Sequence, residues 1–332
     1  MKRRSCLAAV GSSLLGACAA STSSGEENSS SLLFGGWKGS QTAEVMVPEY
    51  LGLNVGNELN WTNWRGKLIP YYRNAGVRWL RVWYNWETVE TEPGQYDRDY
   101  LLPALNLAKM NGFRVCFVIW GTPPFAGSGG LNAVPDQQAL RNYCLWLRST
   151  LNSVVDAWEV WNETNLDKYY LGSPEEYIQT LATAYEVLAG EGPVVAAGTS
   201  GAAQPAYWQA MIDAGLEQHC DRVNMHPYRD RPDQVVALVD DFLSRVEKPL
   251  WITELGLSSD KYDEQAKAEF VEALLPLLSD RVETLMWYRS IQGEGMHPLR
   301  YGLLDVDKPT GQIDQLPAYQ AYQSFARKYQ EA

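Results

Sequence analysis

Histidine is scarce in this chain, with three residues in 332, and His219, His226 and His297 show no HExxH or comparable ligand spacing. A metal centre has little support on that count. No organic cofactor is expected either, and the early segment LNVGNELNW lacks the GxGxxG turn that would cradle a dinucleotide phosphate. Cysteine is sparse too. Beyond Cys18 only Cys116, Cys144 and Cys220 remain, an odd number without CxxC spacing, so buried thiols are expected and not a disulfide framework. Basic residues are outnumbered, 28 against 40 acidic, for a net charge of −12. Such a body repels nucleic acid and anionic lipid surfaces.

The opening MKRRSCLAAVGSSLLGACAAS has a basic start, an apolar run too brief to span a bilayer as a stable anchor, and a small-residue end. That is the pattern of an export signal over residues 1–17. Leu15-Gly16-Ala17-Cys18 resembles a bacterial lipobox, which implies a lipidated Cys18 at the start of the mature chain, and Arg3-Arg4 is loosely similar to a twin-arginine signal. Ordinary secretion with an incidental Cys18 is the alternative. Removal of the leader leaves 25 basic residues and a net charge of −15. Residues 18–44, rich in Ser and Gly, read as a flexible tether.

From residue 45 to 332, short apolar runs alternate with longer amphipathic ones, as strands and helices do around a mostly parallel sheet. Strands are predicted at 51–57, 77–84, 114–121, 155–163, 193–201, 221–228, 249–256 and 282–290, with helices over 99–112, 136–151, 174–190 and 263–280. Eight strand-helix units in this length fit a single (β/α)8 TIM barrel. A doubly wound open sheet is the rival, and the missing phosphate turn speaks against it.

In such barrels chemistry gathers where strands end. Two predicted ends carry glutamate: Glu163 in AWEVWNETN, on the fourth strand, and Glu254 in PLWITELG, on the seventh. Closure of the barrel sets them across one mouth. Two carboxyl groups facing each other over a sugar ring are what glycosidic bond cleavage requires, one to protonate the leaving oxygen and one to attack or activate water.

These two segments resemble the acid/base and nucleophile segments of clan A retaining glycoside hydrolases. The arginine of VRWLRVWY, the turn WETVETEPGQYD, TPPFA after the third strand, HPY after the sixth and Trp287 on the eighth are similar to that clan as well. EVWNE followed by Asn is most like family 39 and its relatives, which often have Pro where this chain has Thr164; family 5 is also compatible. The resemblance implies Glu163 as acid/base and Glu254 as nucleophile. It further implies that Arg81 and Tyr228 hold Glu254 ionised, that Glu163 is kept protonated by the nearby negative Glu254, and that Asn162 bonds the sugar 2-hydroxyl. His226 is expected in the same rim, and Trp287 beneath the sugar, with a cis peptide to Tyr288.

Thirteen tryptophans exceed what packing needs. Of Trp61, Trp64, Trp86, Trp120, Trp161 and Trp287, all at or just after strand ends, about half are expected to stack on sugar rings, Trp86, Trp120 and Trp287 among them. Glu58, Glu87 and Glu90 are expected in solvated loops. The expectation is a monomeric, exported glycosidase acting on a β-linked glycan, by endo attack more than by trimming of ends. A non-catalytic carbohydrate-binding barrel and a transglycosylase with the same intermediate are the alternatives.

Overall fold

The computed structural model describes residues 49–63, 65–200, 205–293 and 299–331. The leader, Cys18, the tether, Trp64 and His297 lie outside them. Eight parallel strands close the barrel: β1 (Leu51–Gly56), β2 (Trp79–Asn85), β3 (Arg114–Trp120), β4 (Ala157–Val160), β5 in two pieces (Val194–Ala196 and Thr199–Ser200), β6 (Val223–His226), β7 (Leu250–Leu255) and β8 (Thr284–Trp287). Neighbours pair in chain order, β8 returns to β1, and both pieces of β5 reach the β6 segment, through Val195–Arg222 and through Thr199 and Ser200. The expected (β/α)8 architecture is the one observed. No helix among the described residues is long and apolar enough to cross a membrane.

Helices cover the outside: α1 (Arg65–Asn74), α2 (Arg98–Met110), α3 (Gln137–Leu151), α4 (Pro174–Leu188), α5 (Pro205–Asp213), α6 (Pro232–Leu243), α7 (Glu264–Leu278) and α8 (Pro317–Glu331). Their starts are written in the sequence. Asp97, Asp136 and Asp263 cap α2, α3 and α7, each accepting from the backbone N–H three residues on, and Ser173 with Glu176 makes a reciprocal capping box on α4. Each such cap is worth about 1 kcal/mol.

The barrel interior is layered. At the end where the strands begin, Trp79, Cys116, Ala157, Val195, Trp251 and Met286 form an apolar plug, with the two indoles edge to face at 4.8 Å. Gly52 completes it, because a methyl there would fall 2.8 Å from both Met286 and Trp79. Two large indoles fit because the facing strands contribute small residues. One step along the strands, period-2 alternation brings Arg81 and Glu159 inward in place of hydrocarbon. Both are fully buried.

Candidate active site

Glu254 does not reach the interior by simple alternation. Trp251 and Thr253 point inward, which would turn Glu254 toward the helices, but β7 carries an extra residue against β8: Ile252 pairs with Leu285 and Leu255 with Trp287. That bulge lets Thr253 and Glu254 both face the barrel mouth. Three donors then hold the Glu254 carboxylate. Arg81 Nη1 donates to Oε1 at 2.5 Å, Asn54 Nδ2 to the same oxygen at 3.3 Å, and the Tyr228 hydroxyl to Oε2 at 3.1 Å. Burial and the neighbouring carboxylates push the Tyr228 hydroxyl well above its ordinary range, so it stays a donor.

Arg81 is itself clamped. Glu159 accepts from its Nε and Nη2 at 2.7 Å each, and Asn162 Oδ1 accepts from Nη2 at 2.8 Å. With its carbonyl engaged, Asn162 has its amide N–H groups as the remaining donors, which suits the expected sugar 2-hydroxyl contact. Glu159 also accepts from Thr253 at 3.1 Å and Asn224 at 3.2 Å. The sequence reading missed Glu159. Counting alternation from Ala157, which lines the plug, would have turned it inward.

Glu163 lies three residues past the end of β4, not on the strand. The chain turns there through two left-handed residues, Trp161 (φ 74°) and Glu163 (φ 40°). Such conformations cost roughly 1–3 kcal/mol each outside glycine and gather at functional sites. The turn is pinned by Trp161 N–H donating to Ile119 and Glu163 N–H to the Gly198 carbonyl, at 2.8 and 2.9 Å. As a result Asn162 points at Arg81 while Glu163 points into the mouth.

His226 stands between the two carboxylates, its Nδ1 3.3 Å from Glu163 Oε1 and 3.8 Å from Glu254 Oε2. Its Nε2 is 3.0 Å from the Thr253 hydroxyl, whose proton goes to Glu159, so Nε2 carries a hydrogen. The contact of Nδ1 with Glu163 then holds one proton between the two groups. Burial raises the Glu163 carboxyl, but the hydrogen bond and charge of His226, helped by Lys168 and Ser200, more than offset it and hold the group below its ordinary range. This corrects the expectation that Glu254 keeps Glu163 protonated: the near face of Glu163 meets the imidazole.

Gly198 sets both partners. It accepts from Glu163, and a methyl on it would lie 2.2 Å from His226 Nε2. Gly198→Ala is therefore expected to displace the imidazole and lower kcat by about 100-fold in a protein that still folds, as a misplacement of about 1 Å does. Steady-state kinetics beside a thermal melt check this; unchanged kcat would show that the imidazole position is unimportant.

Several expected aromatic contacts are corrected. Trp287 is fully buried, packs on Phe270 and donates to the Tyr301 carbonyl, because it is the last outward residue of β8. Tyr288, next along, faces the mouth instead, and the cis peptide is Tyr288–Arg289, one bond later than expected. Trp86 is also fully buried, stacked on Tyr143 at 4.8 Å and bonded to Glu90. It opens a short helix (Trp86–Val89) in which Thr88, and not Trp86, borders the cleft. Trp161 is buried as well, and Trp61 is capped by Lys308. Trp120 does reach the cleft, beside Trp83 and Tyr169, whose rings lie 5.2 and 6.1 Å from it. Glu58 and Glu90 are not solvated: Glu58 accepts from Tyr72, Arg289 and Ser290, and Glu90 from Trp86 and the Gly94 N–H. Burial raises the Glu58 carboxyl despite Arg289.

Among the described residues the mouth holds two adjoining cavities of about 500 and 570 Å³ that share Tyr169, Glu254 and Tyr288. Glu163 lines the smaller, Trp83 and Trp120 the larger. Among the described residues, Glu163, His226 and Glu254 are the one group spaced to hold a cation. The fixed Arg81 charge and the Tyr228 hydroxyl already engage both oxygens of Glu254, so a metal would compete with them.

Residues 71–311 match the family described as the glycosyl hydrolase catalytic core. The chain belongs to that family. Its fold is shared with a family 39 glycoside hydrolase from Bacteroides cellulosilyticus WH2, at 18% identity and a TM-score of 0.68 over 85% of this chain and 64% of that one. The family 39 enzyme of Xanthomonas axonopodis pv. citri gives 16%, 0.67, 84% and 66% on the same measures. A family 5 protein of Bifidobacterium longum subsp. longum, solved with Manβ1-4GlcNAc, gives 11%, 0.69, 85% and 79%. The chain spans less than two thirds of the length of both family 39 structures. No curated protein matches it.

Proposed function

We propose that the chain is a retaining glycoside hydrolase that cleaves β-linked glycans by double displacement. The observation that carries this is the carboxylate separation. Ligand oxygens of Glu163 and Glu254 lie within 4.8 Å of each other, near the ~5–5.5 Å of retaining enzymes and short of the ~6.5–9.5 Å that leaves room for an attacking water.

Glu254, ionised and oriented by Arg81, Asn54 and Tyr228, attacks the anomeric carbon. Glu163 delivers the proton it shares with His226 to the leaving oxygen, then takes a proton from the water that resolves the glycosyl-enzyme. Asn162 strengthens its hold on the 2-hydroxyl as positive charge develops on the ring. Cavities on both sides of Glu254 support endo attack, since a chain can run through them. Proton NMR of a β-linked oligosaccharide digest tests the reading: the β-anomer should form first and mutarotate afterwards. Initial α-product would replace double displacement by inversion.

We also propose, from the leader-like residues 1–17 and the lipobox-like Leu15-Gly16-Ala17-Cys18, that the enzyme is exported and tethered by a lipid on Cys18. Cys18→Ser is expected to move it from the membrane fraction to the soluble one on fractionation of the expressing cell, whereas unchanged partitioning would leave Cys18 incidental.

A further inference from the structure

We infer that the leaving-group side of the cleft recognises an anionic substituent on the glycan, through Lys168 and Arg229. This rests on the retaining reading, which assigns the cavities. The acid/base stands over the oxygen it protonates, so the cavity lined by Glu163 takes the leaving-group sugar, and the other takes the sugar transferred to Glu254.

The chemistry of the two cavities differs. The larger offers Asn54, Asn57, Asn85 and Thr88 beside Trp83 and Trp120. Amides, a hydroxyl and indole faces suit the hydroxyls and ring of a neutral sugar. The one cation among its described lining residues, Arg289, is 3.0 Å from the buried Glu58. The smaller cavity has no amide side chain among its described lining residues. Apart from Glu163 and Glu254 the charged groups among those described residues are both cationic, Lys168 from the loop after β4 and Arg229 from the loop after β6.

Neither cation has a carboxylate within 4.0 Å among the described residues. The acidic side chains beside Arg229 are engaged elsewhere, Asp230 with Lys261 and Asp233 with Arg231. Both cations are nonetheless placed. Arg229 Nη1 donates to the Tyr228 carbonyl at 2.7 Å, which leaves the rest of its guanidinium fork to offer, and the Lys168 ammonium sits 4.3 Å above the Tyr169 ring. Two positioned cations with no salt-bridge partner among the described residues, in a chain of net charge −12, mark a local exception in an acidic protein. A carboxylate or sulfate ester supplies what they lack.

An anion seated there also serves the chemistry. Lys168 is one of the groups that hold Glu163 below its ordinary range, so a negative substituent beside it strengthens the hold of Glu163 on the proton it must deliver.

The test compares kcat/KM on β-linked polysaccharides in which neutral and uronic acid residues alternate, on the same polymers after reduction of the carboxyls to alcohols, and on sulfated neutral counterparts. Wild type should favour one charged set over the neutral one by at least ~10-fold, and which set it favours identifies the anion. In Lys168→Gln/Arg229→Gln that ratio should fall by about 10- to 100-fold, the worth of one or two charge-assisted hydrogen bonds. Lys168→Arg and Arg229→Lys should keep it. Equal rates on charged and neutral polymers, or equal losses on all of them in the double variant, would overturn the inference while leaving the hydrolase reading intact. Absence of hydrolysis on every polymer and on neutral aryl β-glycosides would remove both.

Discussion

Glu254→Gly is expected to lower kcat by on the order of 10⁴-fold or more, and azide should restore turnover with inversion at the anomeric carbon. Without the side chain no covalent intermediate forms, so azide in the vacated space attacks directly, and a single displacement inverts. Glu163→Gly should behave differently. On a glycan it loses about 10²- to 10⁴-fold, the usual worth of general acid–base catalysis. An activated aryl glycoside, whose leaving group needs no proton, should still form the glycosyl-enzyme, which azide then captures with net retention. Opposite azide anomers from the two variants would assign both roles, and identical anomers would reject the assignment. The Glu254 variant should fold, because Arg81 keeps the bidentate bond to Glu159. Circular dichroism and a melt beside the kinetics separate lost chemistry from lost structure.

Much of this site was legible in the residues, and what was not has identifiable causes. The strand runs stood out because their outward faces pack on helices and are apolar, and the segment ends pointed to Glu163 and Glu254. Reading by strand pattern and residue type then failed in three ways. The bulge in β7 turns Glu254 inward where strict alternation turns it out. The left-handed turn carries Glu163 beyond the strand that was expected to end on it. Tryptophans at strand ends were taken as sugar platforms by residue type, yet Trp287 and Trp86 face the helix layer, and parity fixes that more surely than type does. Conversely, Trp83 was found by no motif, although Trp79, Arg81 and Trp83 share one face of β2. Tyr169 and Tyr288 stand on loops, where no period operates, and only the folded chain brings them to Glu254.

Glu159 carries the second large expectation, and it concerns stability before catalysis. Glu159 and Arg81 are both fully buried and joined by two bonds of 2.7 Å. Removing Glu159 leaves the buried guanidinium with Glu254 as its one remaining carboxylate and its Nε without an acceptor in a place water does not reach, and breaking such a buried pair costs about 3–5 kcal/mol. Glu159→Leu should therefore lower the Tm by on the order of 10 °C, with Thr253 and Asn224 also losing an acceptor. The double variant Arg81→Met/Glu159→Leu replaces the pair by hydrocarbon of similar volume and should recover a large part of that stability, since a buried pair gains little over well-packed apolar groups. Activity should not return with it. Glu254 would have lost the guanidinium at 2.5 Å that fixes its charge and aim, and Asn162 would have lost the donor that orients its amide. Chemical denaturation and kcat on wild type, Glu159→Leu and the double variant decide the matter. A double variant both stable and active would mean that Arg81 only fills the barrel, whereas stability without turnover makes the guanidinium the link through which a buried glutamate on β4 positions the nucleophile on β7.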